Sequence, residues 1–105
     1  METLILNRTL LASLMNLDDY ISGIEDAFRN HGLGNTFGNQ MIHGDTPGEL
    51  EFHIKTGGLI LNGKKYYGLK MNASNFSNVK IGLPNIMGVV LLFDGEFGKP
   101  LAVVD

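Results

Sequence analysis

Residues 86–93, Ile-Met-Gly-Val-Val-Leu-Leu-Phe, constrain this chain more than any other stretch. Eight residues without charge and without polar alternation read as a β-strand buried on both faces. Asp94-Gly95 opens a tight turn, Gly98 closes it, and Leu101 to Val104 supplies the partner strand. Upstream, Lys64 to Met71 reads as a further strand ending near Lys70. A polar loop follows (Asn72, Ser74, Asn75, Asn78), then a Gly82-Leu83-Pro84 turn. A hairpin this apolar is core, and a lone lysine beside hydrogen-bonding side chains is the best candidate for function.

The first third of the chain has a different period. Thr3 to Leu6 is a short strand, and Asn7 or Thr9 caps a helix running to about Met15. Asn16 caps a second helix, with Asp18 and Asp19 at the positive end of its dipole. Leu17, Ile21, Ile24 and Phe28 fall at helical spacing and predict one buried face, and Gly32 and Gly34 end the helix. From Asn35 the period becomes two. Phe37 to His43 and Leu50 to Lys55 read as strands joined around Thr46-Pro47-Gly48. In the second, Leu50, Phe52 and Ile54 point one way and Glu51, His53 and Lys55 the other. Gly57-Gly58 reads as its end, and Asn62-Gly63 as a hairpin turn. The expected fold class is α+β: N-terminal helices packed on a mostly antiparallel sheet of five or six strands.

At 105 residues the chain is expected to form one domain. A net charge of −3 gives no electrostatic case for nucleic acid or a membrane surface. There is no cysteine, hence no disulfide and no thiolate metal site. The N-terminus lacks a signal-peptide pattern, and no apolar run approaches the ~20 residues that span a bilayer. The Asn-x-Ser/Thr triplets at Asn7, Asn72 and Asn75 are therefore read as chance, and the expected compartment is the cytoplasm.

Gly68, Lys70, Asn78, Gly82-Leu83-Pro84, Gly98, Pro100-Leu101-Ala102 and Asp105 stand in an order and spacing that resemble the N-terminal domain of the ornithine cyclodeaminase/mu-crystallin family. The Ile21-to-Phe28 helix fits the same pattern, so the resemblance covers nearly the whole chain. It implies a longer two-domain parent, whose nicotinamide-binding Rossmann domain lies outside this chain. The ending of the chain on a core-type strand agrees with that expectation. The parent would use NAD or NADP, bound mainly by the absent domain, for hydride transfer with an amino acid or cyclic imine. The 105-residue piece alone would be inactive. The resemblance also implies a homodimer in which two sheets pair into a barrel.

Lysine on a strand is usually a solvated side chain. The resemblance assigns Lys70 a catalytic and substrate-binding place facing the nicotinamide across a cleft. Asn72 and Asn78 would orient a polar ligand, although Asn is also a good loop residue. Many family members carry an arginine near the position of Gln40 to grip a substrate carboxylate. This chain has Arg8 and Arg29, both in its helical part. Gln40 is uncharged, and Lys55 is the candidate substitute, as a point charge rather than a fork. His53 would line the same cleft.

His43 and His53, with Asp45 and Glu51 nearby, lack the tight ligand spacing of a metal site, so no metal is expected. Gly58 to Lys65 imitates a phosphate-binding loop, but Lys65 stands where Ser/Thr must hold magnesium. Gly32-Leu33-Gly34 imitates a dinucleotide fingerprint but follows a helix and has Phe37 at the third glycine position. Two other readings remain open: a binding protein without turnover, as in mu-crystallins, and a structural dimerisation module.

Overall fold

A computed structural model describes residues 2–105. The elements run β1 (Leu4–Leu6), α1 (Arg8–Leu14), α2 (Leu17–Gly32), β2 (Thr36–Asp45), β3 (Glu51–Leu61), β4 (Lys64–Ser74), a 3-10 turn at Asn78–Ile81, β5 (Ile86–Asp94) and β6 (Pro100–Val104). Six strands form one sheet in the order β1-β6-β5-β4-β3-β2. Only the β1–β6 pair is parallel. The α+β expectation holds, and the sheet is open rather than closed into a barrel.

Asn62 and Gly63 set the register of its centre. Their φ angles are 51° and 77°, both left-handed, as a two-residue hairpin turn with the twist of its strands requires. Lys55 stands seven residues before Asn62 and Lys70 seven after Gly63, so the two are direct cross-strand partners. The Gly57-Gly58 pair does not end β3, contrary to the sequence expectation; the strand runs on to Leu61. A Cβ on Gly58 would come within 2.3 Å of the Phe37 ring, and one on Gly57 within 2.8 Å of the Asn39 side chain. The glycines admit neighbouring side chains on β2 and do not break the ladder.

Asp94 organises the last hairpin. Its carboxylate accepts hydrogen bonds from the backbone N–H groups of Glu96 (2.7 Å) and Phe97 (3.1 Å). Those two bonds hold its pKa below the ordinary 3.8, with Lys99 and Lys64 adding a smaller pull in the same direction. At the front of the chain, Asn16 and Asp19 form a reciprocal capping box. The Asp105 N–H donates to the Leu6 carbonyl (3.0 Å), and Arg8 pairs with the Asp105 carboxylate (3.3 Å), tying the start of α1 to the end of β6.

The sheet has two unlike faces. One carries the rows Ile42–Ile54–Met71–Val89 and Gln40–Thr56–Leu69–Leu91–Val103–Ile5, in which no residue is charged. The other carries Met41–Lys55–Lys70–Val90–Val104 and His43–His53–Asn72–Gly88. Among the described residues only Ala102, Ser74 and Gly58 are buried. Two expectations of burial therefore fail within this chain. The first half of β5 is exposed. So is the apolar stripe of α2, where Leu17 is 73% and Phe28 72% accessible. Pattern specifies which face is apolar; burial needs a second layer, and α2 meets the sheet chiefly along β3.

Candidate functional site

Lys55 and Lys70 lie side by side on one sheet face, both exposed. Like charges directly opposite each other in a sheet are destabilising. Neither lysine has an acidic partner among the described ion pairs. A carboxylate arriving between them would meet two ammonium donors on rigid strands. Asn72 follows Lys70 on the same face, opposite Gly88 of β5. Gly88 has no side chain, so the surface dips there into an open groove of about 540 Å³. Lys55, Lys70 and Asn72 form one side, Val90 and Val104 the floor, and Leu11 of α1 reaches its rim. The groove thus combines two cations, one amide and an apolar floor, and its lining also includes the Asp105 carboxylate, already paired with Arg8. That suits a small anion with an apolar body.

The other expected residues are distributed unevenly. His53 shares the face of Lys70, one row along, but its ring stacks on His43 with centroids 4.6 Å apart. Gln40 does not join the site. It pairs with Thr56, and strand alternation therefore puts it on the face opposite Lys55; Met41 takes the β2 position beside Lys55. Asn72 belongs to β4 rather than to a loop, since its neighbours Ala73 and Ser74 continue the ladder with β5. Asn78 is occupied locally: its side-chain amide donates to the Pro84 carbonyl at 3.0 Å, and its backbone carbonyl accepts from the Leu83 N–H. Asn75 likewise accepts from the Ser77 N–H. These side chains shape the loop. Gly88 and Leu11 escape a reading of the sequence. The only signal for Gly88 is a glycine interrupting an apolar strand.

A second cleft, of about 410 Å³, lies by the Asp94 turn. Its Lys65 is already paired with Glu96 at 3.0 Å.

The sheet thus carries a two-lysine groove on one face and two uncharged rows across the middle of the other. The chain belongs to the ornithine cyclodeaminase/mu-crystallin family, whose pattern matches residues 1–105. It is 36% identical over 110 residues to alanine dehydrogenase of Archaeoglobus fulgidus, covering 100% of this chain and 31% of that protein. A solved archaeal alanine dehydrogenase dimer with bound NAD superposes with a TM-score of 0.88 at 32% identity, over 100% of this chain and 31% of the other. The Δ1-pyrroline-2-carboxylate reductase of Thermococcus litoralis, solved with NADH and L-proline, shares the fold at TM-score 0.84 and 24% identity, over 97% and 31% of the two chains. This chain therefore spans about a third of the length of the relatives it matches. No helix among the described residues is long and apolar enough to cross a membrane.

Proposed function

We propose that this chain is the substrate-side and dimerisation domain of an NAD(H)-dependent oxidoreductase that acts on a small amino acid or its imine. The observation that carries this reading is the Lys55–Lys70 pair above an apolar floor. In it, the α-carboxylate sits between the two ammonium groups and the side chain rests on Val90 and Val104. The reacting carbon is then presented outward, toward a nicotinamide held by a separate domain. Lys70 lies beside the reacting centre, where its positive charge favours the carboxylate-bound imine and can steady a polarised water. NAD(H) supplies the hydride chemistry when bound; residues of this chain orient the substrate. Kinship with an alanine dehydrogenase supports a short aliphatic substrate.

The second role rests on the uncharged rows of the opposite face, whose Ile42 is 57% exposed. A surface of this kind calls for a partner layer, and a second copy of the same sheet provides a matching one. A reading as a binding protein without turnover is favoured by one observation: the groove has two point charges and no arginine fork.

The test uses the full-length protein, following nicotinamide absorbance with alanine, other small amino acids, keto acids with ammonia, and cyclic imines. Turnover that Lys70→Ala removes supports the oxidoreductase. Tight NADH and amino-acid binding without turnover transfers the assignment to the binding protein. Absence of nicotinamide binding overturns both.

A further inference from the structure

The hairpin β2–β3 carries a second cluster, at the far end from the Asn62-Gly63 turn. His43 pairs across the strands with His53, and Asp45 with Glu51, so all four occupy one two-by-two patch of a single sheet face. The sequence pattern is His-x-Asp on one strand and Glu-x-His on the other, and the period of two aims all four the same way. Spacing along the chain argues against a metal site; the register brings the donors together. One donor atom each from His43, Glu51 and His53 lie within 4.8 Å of one another. Individual separations are 3.8 Å from His43 Nε2 to Glu51 Oε2 and 4.0 Å from His53 Nε2 to the same oxygen. Asp45 Oδ1 stands 3.1 Å from His43 Nε2.

We propose that His43, Glu51 and His53, with Asp45 as fourth donor, form a binding site for a borderline divalent transition metal such as Zn2+ or Co2+. Metal–ligand bonds of about 2.0–2.1 Å place tetrahedral donors roughly 3.3 Å apart. The separations within the His43–Glu51–His53 group need only modest side-chain rotations to reach that, and Asp45, outside the group but 3.1 Å from His43 Nε2, has to turn toward it. Imidazole donors select Zn2+, Co2+ and Ni2+ over the oxygen-seeking Mg2+ and Ca2+. The cation also resolves a local conflict, because Asp45 and Glu51 are carboxylates directly opposite each other. The simpler account, a histidine bonded to Asp45, uses His43 and leaves the stacked His53 and the opposed Glu51 without a reason. This assignment does not rest on the oxidoreductase reading.

The experiment titrates Co2+ into tag-free, EDTA-treated full-length protein and follows the visible d–d absorption. One Co2+ per chain with an intense four-coordinate spectrum is expected, displaced by Zn2+ and indifferent to excess Mg2+. His43→Gln and His53→Gln each weaken binding by at least about tenfold, since even loss of a ligand's supporting partner costs about 10–100-fold. Glu51→Gln, which keeps shape and removes charge, weakens it as well. His31→Gln, at the remaining histidine, leaves it unchanged. A six-coordinate aquo spectrum overturns the site, and so does binding that survives the double substitution at His43 and His53.

Discussion

Lys55 and Lys70 are equivalent in charge but not in place, and substitution separates them. Lys70 adjoins Asn72 and the Gly88 dip. On the proposed reading, Lys70→Ala lowers kcat/KM by about a hundredfold through kcat, while Lys55→Ala raises KM by about tenfold with little change in kcat. Steady-state kinetics of the full-length enzyme distinguish the two. Asp94 makes a prediction about pH. Its folded pKa is lowered, so its contribution to stability is present above the unfolded value near 3.8 and is lost as pH falls through the lower folded value. The gap in urea midpoint between wild type and Asp94→Ala is therefore full at neutral pH and narrows in strong acid. A gap that persists unchanged in strong acid would contradict the assignment of the two backbone hydrogen bonds to the ionised form.

At the level of elements, turns carry more information than strands. Asn62-Gly63 is a strong hairpin signal, and counting outward from it is enough to pair Lys55 with Lys70. Gly63→Ala tests that turn: a Cβ at φ 77° is expected to cost about 1 kcal/mol, a drop of several degrees in Tm for a domain of this size. Other features are illegible in the sequence for definite reasons. Gly57-Gly58 resembles a break because propensity is local, whereas the need for two glycines comes from Phe37 and Asn39 on another strand. The family resemblance sets Gln40 beside the lysines, but an irregularity in register between Phe37 and Gln40 makes one-residue errors of facing easy in β2. Asn72 and Asn78 look alike in sequence. One faces the groove and the other secures a proline carbonyl, a difference set by where β4 stops.

For the whole molecule, the consequential fact is how little a single layer hides. Most large apolar side chains of α2 and of the uncharged rows of the sheet retain substantial exposure. Burial of these surfaces has to come from other layers, and the proposed second copy accounts for the sheet face. Val89→Lys or Leu91→Lys places an unpaired ammonium in that contact and is expected to weaken self-association by about a hundredfold or more. Sedimentation velocity of the full-length protein reads the result. An unchanged dimer in both variants would remove this face from the interface.

The parallel pairing of β1 with β6 has a further consequence in time. Thr3 donates to the Pro100 carbonyl across a separation of 97 residues, whereas β2 through β5 are joined by short connections. Local hairpins repay their loop entropy early and long-range pairs repay it late. During synthesis, β1 must wait until β2 through β5 have been made before its partner β6 exists. The sheet is therefore expected to assemble from its middle outward, with the β1–β6 pair seated last.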